Sequence, residues 1–383
     1  MERKNVLFLC SWYPSKVNPT LGNFVQKHAE TAAKVANVTV LYAVASDKVE
    51  QTEIEKSLVN GLETVIVYYP KVKFRFPVLT QLMKRKKYLT ALFSGYHDLS
   101  TKFDLVHLNE AFPAGMFAEL LKKEHRIPYI LTVHWTGYLD HTAGFRKLPP
   151  YVQKLHKNIF KGADLILPVS RHLGESLVKL DLVNSFEVIP NTVDSDHFYP
   201  SDRKREVLND PINFIHISSF DDNQKNIRGM LASFREVEQR NKSFRLTLIS
   251  EGDREDVWKL IDEFKLNRDR VQVESRLSTV EVADVLRRAD CLVLFSNYET
   301  FSVVLAEAWM TGIPAIYAKS GGLTEIDDPE LGRQIPRKNI SALTEALLRF
   351  RRDDFDTQRI VEKAQEFTAE RIAIQFRDIY NEY

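Results

Sequence analysis

Short unbroken apolar runs recur along the chain, and amphipathic stretches fill most of the intervals between them. The first run, Asn5-Val6-Leu7-Phe8-Leu9-Cys10, is continuous rather than alternating, as expected of a strand buried on both faces in a parallel sheet. Further strands are predicted at Val38–Tyr42, Thr64–Tyr69, Asp104–Leu108, Tyr129–Val133, Asp164–Val169 and Phe186–Ile189. A helix opens at Gly22-Asn23-Phe24 and runs to about Ala36. A fresh βα series starts at Ile212–Ile217 and continues through Phe244–Ile249, Val271–Glu274, Cys291–Phe295 and Ile313–Tyr317. Within it, Ile227, Met230, Leu231, Phe234 and Val237 mark one face of a helix. The polar stretch ending at Asp202-Arg203-Lys204-Arg205 separates the two series. The prediction is an α/β protein of two doubly wound domains, residues 1–198 and 199–362, with a helical tail, 363–383, packing back on the first.

Composition adds limits. A chain of 383 residues with 44% hydrophobic and 27% charged residues suits a globular protein of two domains, and its net charge of +1 makes no demand for nucleic acid. Cys10 and Cys291 fall in predicted strands far apart in sequence, which suggests neither a disulfide framework nor a zinc site. The apolar run near the N-terminus is too short for a secretory or spanning segment, so a cytoplasmic protein is expected. From Lys71 to Lys87 there are seven basic residues and no acidic one, interleaved with apolar side chains. That segment suits peripheral contact with an anionic membrane surface or lipid-linked substrate, or is simply a solvated helix face.

Candidate chemistry concentrates in Asn297–Pro314, which reads as loop then helix between two strands. Glu299 stands in the loop at the carboxyl end of a parallel strand, where open α/β sheets bind ligands. Glu307 lies about two helical turns in, about 12 Å further on at helical rise. The N–H groups of Phe301, Ser302 and Val303 would form the helix start, a site suited to phosphate. Lys225 occupies the first turn of another helix, where a cation opposes the dipole and hints at a nearby anion. His134 begins the loop after Tyr129–Val133. Its neighbour in pattern, His107, belongs either beside it or in the packing. His134 and His141 lack the spacing of a helical metal pair. Gly22 either lets backbone approach a phosphate or turns the chain. Asp194-Ser195-Asp196 spells the metal-binding pattern of sugar transferases of another fold, but its setting reads as a turn.

No dinucleotide fingerprint, phosphate loop or nucleophile elbow occurs, which weakens oxidoreductase, kinase and hydrolase readings. By contrast, Glu299 and Glu307 with seven residues between them, Phe301-Ser302, and Glu307-Ala308 followed by Gly312 and Pro314 closely resemble the signature of retaining GT-B-fold glycosyltransferases of family 4. Pro190-Asn191-Thr192-Val193-Asp194 looks like that family's interdomain segment, with Thr192 where Gly is usual. Lys225-Asn226, Gly321-Gly322 with Glu325, and His134 match as well.

The resemblance implies an enzyme that moves a sugar from a nucleotide-diphosphate donor to a carbohydrate or lipid-linked acceptor in surface glycan assembly, with no metal or other cofactor. It implies that Glu299 holds donor-sugar hydroxyls, Glu307 the ribose, and His134 the sugar from the first domain. Lys225 and the N–H groups of Phe301 to Val303 would stabilise the departing diphosphate, with Gly22 also on the donor. Arg276 and Leu277 would face the base. One departure stands out: Ser219 occupies the place of an Arg usual in the family, so either Arg228 or another cation replaces it or donor binding is weakened. A non-catalytic binding protein of the same fold is therefore the competing expectation, and a nucleotide-sugar epimerase a more distant one.

Overall fold

The computed structural model describes residues 3–72, 77–140, 142, 144–201, 211–240 and 242–383. Residues 73–76 of the basic segment, His141, and residues 202–205 of the expected linker lie outside these. The chain forms two compact units, Met1–Thr192 with Ala369–Tyr383, and Val193–Thr368.

The first unit is built on seven strands, β1 (Asn5–Cys10), β2 (Asn37–Ser46), β3 (Glu53–Val59), β4 (Leu62–Pro70), β5 (Leu105–Asn109), β6 (Tyr129–Val133) and β7 (Leu165–Pro168), in spatial order β3-β4-β2-β1-β5-β6-β7. All neighbours run parallel except β3 and β4. That hairpin is an addition to the expected strands. Its turn is Asn60-Gly61, with φ of 49° and 81°, the two positive values that a tight hairpin needs. Residues 186–189 are not a regular strand; only Glu187 and Ile189 donate main-chain bonds, to Ile166 and Pro168 on the outer edge of β7.

Phe8, Val40, Leu105 and Ile130 are fully buried in one cluster with Ile372 and Phe376 of the helix Ala369–Tyr380. His107 sits in this core, with Nδ1 2.6 Å from the Tyr380 hydroxyl and Nε2 2.7 Å from Thr132 Oγ1. Burial holds its pKa well below the usual imidazole range. It is a packing residue.

The second unit has six parallel strands, β8 (Ile212–Ser218), β9 (Phe244–Ser250), β10 (Val271–Ser275), β11 (Cys291–Leu294), β12 (Ala315–Ala318) and β13 (Gly332–Ile335), in spatial order β10-β9-β8-β11-β12-β13. Phe214, Leu246, Leu248 and Val293 are buried against the predicted helix face of Ile227, Met230, Leu231, Phe234 and Val237. Asp194-Ser195-Asp196 is a turn, in which the Phe198 amide donates to the Asp194 carbonyl at 2.9 Å. Cys10 and Cys291 are both buried and free.

Both sheets reverse direction once beside their first strand. In the first unit the chain builds outward from β1 through β2 and returns to β5 on the other side; in the second it builds from β8 through β9 and returns to β11. The loops leaving β1 and β5, and those leaving β8 and β11, therefore splay apart and leave a crevice at the carboxyl ends of the strands.

Candidate functional site

At the second unit's crevice the loop after β8 ends in a single helical turn, Asp222–Lys225, capped by Asp221, whose side chain accepts from the Asn223 amide at 3.1 Å. Asn226 then turns left-handed, with φ 51°, before the helix Ile227–Gln239. This aims Lys225 at the loop after β11, where its Nζ donates to Glu299 Oε1 at 2.6 Å. The side chains are only 15% and 6% exposed, so this is a buried ion pair rather than a surface one. The loops are also joined through main chain: the Asn297 amide donates to the Gln224 carbonyl at 2.7 Å, and its Nδ2 to the Asn223 carbonyl at 2.9 Å.

Gly321 and Gly322 explain themselves from the other side. The Gly322 amide donates to the Glu299 carbonyl at 2.9 Å. Gly321 has φ 54°, and a Cβ there would lie 1.9 Å from that same carbonyl oxygen. The double glycine thus admits the Glu299 backbone at a distance no side chain allows.

The helix after Glu299 begins at Val303, later than expected, and runs to Met310. Ser302 is its N-cap in a left-handed conformation, φ 77°, and contributes no side-chain cap. Phe301 precedes the helix and is buried edge-on to the Phe367 ring at 5.3 Å. Glu307, half-buried, is consequently about one turn into the helix and not two. Trp309 Nε1 donates to the Leu331 carbonyl at 2.9 Å and holds the helix on the sheet.

Ser219 is exposed beside Phe220, which is left-handed with φ 60°. The local order comes from Ser218, whose Oγ accepts from the Phe220 amide at 3.1 Å and lies 2.8 Å from His216 Nε2. His216 donates from Nδ1 to the Val293 carbonyl at 2.8 Å, and burial pushes its pKa down to about 4. Arg228, the other cation expected near the missing Arg, is engaged through both its terminal nitrogens with Glu263, one at 3.0 Å, in a half-exposed pair. Arg276 is exposed and left-handed at the end of β10, followed by half-buried Leu277, while Ser278 is engaged in a capping box with Glu281.

The first unit presents a different set. Gly22 is the N-cap of the helix Asn23–Ala32 with φ 77°, and a Cβ there would meet the Trp12 carbonyl carbon at 2.8 Å. Its need for glycine is met by packing against Trp12 and Tyr13. The next residue but one, Phe24, brings its ring 4.7 Å from that of His134. His134 is 5% exposed, and neither ring nitrogen finds a partner of normal geometry, Asn191 being the nearest polar neighbour. Burial first, then the proximity of His28 and His107, holds its pKa well below the usual imidazole range.

Glu110, which sequence reasoning passed over, follows β5 directly and is 2% exposed. Its Oε1 accepts from the Ala111 amide at 3.0 Å, and its Oε2 from the amides of His134 and Trp135 at 3.0 and 2.9 Å. Burial pushes its carboxyl up to about 7 against the pull of those three donors and of the Tyr138 hydroxyl. The signal available in sequence was a carboxylate immediately after the fully buried strand Leu105–Asn109. Among the described residues no cluster of three or more His, Cys, Asp or Glu side chains could hold a metal ion.

Each unit therefore places a buried carboxylate at its crevice, one salt-bridged to a lysine and one held by main-chain amides beside an imidazole. Both units are similar to known proteins. The description "Glycosyl transferases group 1" matches residues 199–367, and "Glycosyltransferase Family 4" matches residues 22–197. An uncharacterized glycosyltransferase of Methanocaldococcus jannaschii is 25% identical, covering 96% of this chain and 97% of that protein. The putative teichuronic acid biosynthesis glycosyltransferase of Bacillus subtilis is 22% identical over 90% of this chain and 88% of its own. Among solved structures, sucrose-phosphate synthase from Thermosynechococcus elongatus superposes with a TM-score of 0.79 at 20% identity, covering 99% of each chain. The Anabaena protein HepE, in complex with UDP and glucose, gives 0.71 at 15% identity over 100% of each. Two family matches that together run from Gly22 to Phe367, on two doubly wound units, mean that this chain belongs to the glycosyltransferases of the group 1, family 4 type, with the GT-B fold.

Proposed function

We propose that this glycosyltransferase is a retaining enzyme that takes a sugar from a nucleotide-diphosphate donor and places it on a carbohydrate or lipid-linked acceptor in surface glycan assembly. The observation that carries the reading is the buried Lys225–Glu299 pair at the crevice of the second sheet. A lysine held by a carboxylate meets a diphosphate as a ready cation, and the same carboxylate keeps an oxygen for sugar hydroxyls. Glu307 takes the ribose hydroxyls, Arg276 and Leu277 the base, and the main-chain N–H groups from Phe301 to Val303 the phosphates, with Gly22 allowing close approach. His134 offers a neutral imidazole to the donor sugar. The names of relatives support the class of product and donor: one concerns teichuronic acid and another binds UDP and glucose.

In this reading the bond from C1 to the phosphate oxygen breaks while the acceptor oxygen bonds C1 on the same face. The acceptor proton passes to the leaving diphosphate. Lys225 and the helix start stabilise the charge that develops, in place of a metal. The protein acts in the cytoplasm, with peripheral membrane contact through Lys71–Lys87; Lys84, Arg85 and Lys86 are exposed on the helix Pro77–His97, as is Leu82 at 61%. Among the described residues no helix is long and apolar enough to cross a membrane.

A second reading, a binding protein of the same fold with a weakened donor site, is favoured by exposed Ser219 and by the engagement of Arg228 with Glu263. One experiment separates them. Melting temperature is measured with UDP, GDP, ADP and their sugars, and sugar transfer is then assayed for wild type and Glu307→Ala with and without chelator. Transfer that survives the chelator and falls about 10²-fold in the variant is expected. Tight nucleotide binding without turnover would favour the second reading, and equal activity in both proteins would remove Glu307 from the site.

A further inference from the structure

We propose that Glu110 is a positioning residue for sugar transfer: its carboxylate fixes the turn that carries His134, and through it the imidazole offered to the donor. This rests on the transferase reading above.

The loops leaving three adjacent strands meet at this one residue. Oε2 gathers the amides of His134 and Trp135 from the loop after β6, while Oε1 takes the Ala111 amide from its own loop after β5. From β1, Ser11 Oγ donates to the Glu110 carbonyl at 2.8 Å and accepts from the Ala114 amide at 3.0 Å. The Glu110 amide donates to the Thr132 carbonyl at 2.9 Å. The residue holds φ 65°, a left-handed backbone that glutamate adopts only against a steric cost of about 1 kcal/mol.

His134 needs such support because its ring has one polar neighbour, Asn191, and makes no hydrogen bond of normal geometry with it. Both ring nitrogens lack a partner of normal geometry, and the contacts that hold the ring are faces: Phe24 at 4.7 Å and His28 at 5.4 Å between centroids. Ring orientation is therefore set by packing and by where the main chain puts Cα. That main chain is fixed by Glu110. A neutral side chain would bridge the same amides without the desolvation cost of a carboxylate, but would accept fewer bonds and weaker ones. A buried ring without a hydrogen bond of normal geometry, above an over-determined turn, is a group whose position the turn decides.

The test compares wild type, Glu110→Ala, Glu110→Gln, His134→Ala and the double variant Glu110→Ala/His134→Ala. Each is assayed with UDP-glucose, UDP-N-acetylglucosamine, GDP-mannose and ADP-glucose, and the amide resonances of His134 and Trp135 are followed by NMR. Glu110→Ala should lower kcat about 10²-fold with donor KM changed less than about threefold, the size of effect a displaced catalytic group produces. Glu110→Gln, which keeps one acceptor oxygen, should fall between it and wild type and serves if the alanine variant does not fold. The double variant should be no slower than His134→Ala alone, because Glu110 acts only through that ring. The two amide protons should move upfield on loss of the carboxylate. Losses that multiply in the double variant, wild-type kcat in Glu110→Ala, or unmoved amides in an active protein would overturn the proposal and leave the transferase reading standing. A wild type that transfers no sugar from any donor would overturn both.

Discussion

Glu299 and Glu110 occupy equivalent places in the two sheets, each in the loop after the strand at which the sheet turns back, yet they are neutralised in opposite ways. Glu299 faces a full cation, Lys225, at 2.6 Å. Glu110 faces no cation but three main-chain N–H groups and the Tyr138 hydroxyl, and burial lifts its carboxyl to about 7. A salt bridge can exchange partners when an anion arrives, since the lysine keeps donors to spare. A carboxylate fixed by backbone amides cannot, because moving it moves the chain. One carboxylate can thus change partners, and the other holds the chain in place.

The largest effect that tests this contrast is expected from Lys225→Ala. It should reduce transfer about 10³-fold, in the range seen when a charge-stabilising donor is lost, and should also lower stability by about 4 kcal/mol because Glu299 is left buried without its cation. Urea unfolding checks the second figure; a loss below about 1 kcal/mol would mean that Glu299 simply finds water. Next comes Gly321→Ala. The left-handed φ and the overlap with the Glu299 carbonyl predict a loss of roughly 3 kcal/mol and a displaced Glu299. Activity that falls while nucleotide-induced stabilisation persists would show that the double glycine serves the sugar end of the site.

An effect of similar size, and the most diagnostic, is in pH. Between about 4.5 and about 7 folded Glu110 keeps a proton that the unfolded chain releases, so its contribution falls as pH rises. Wild type should therefore lose about 3 kcal/mol relative to Glu110→Gln across that window. His28, His156 and His216 act in the other direction. Burial holds each at about 4, so below pH 6.5 the unfolded chain takes up protons that the native one refuses, and stability is lost down to about pH 4. Melting temperatures of the two proteins measured across pH would separate the terms. A difference that stays flat with pH would mean that Glu110 titrates at its ordinary value.

Much of this was legible before any coordinates. Unbroken apolar runs such as Asn5–Cys10 and Cys291–Phe295 announced buried parallel strands, and their order placed Glu299 and His134 at strand ends; Lys225, expected in the first turn of the helix Ile227–Gln239, instead closes the short turn Asp222–Lys225 before it. The hairpin β3–β4 carried its own sign in Asn60-Gly61, but Glu53–Val59 is mostly exposed and has no apolar run to draw the eye. Residues 186–189 are apolar enough for a strand yet bond on one side only. The start of the helix at Val303 depends on Ser302 turning left-handed, which no propensity foretells. Glu110 had only its place after a buried strand to mark it, for a physical reason: most of its partners are main-chain amides, of residues 111, 134 and 135, and backbone donors leave no trace in side-chain pattern.

The helix Ala369–Tyr380 lies in the core of the first unit, and Val193 donates its amide to the Phe367 carbonyl at 2.8 Å, where the chain enters and leaves the second. The second unit is thus threaded as a closed excursion, complete in itself once residue 368 has been made. During synthesis it can fold while the first unit still lacks the Tyr380 hydroxyl that reaches His107. The domain begun first is finished last, and nascent chains arrested before residue 369 should carry a folded second unit and a first unit whose core is open on one side.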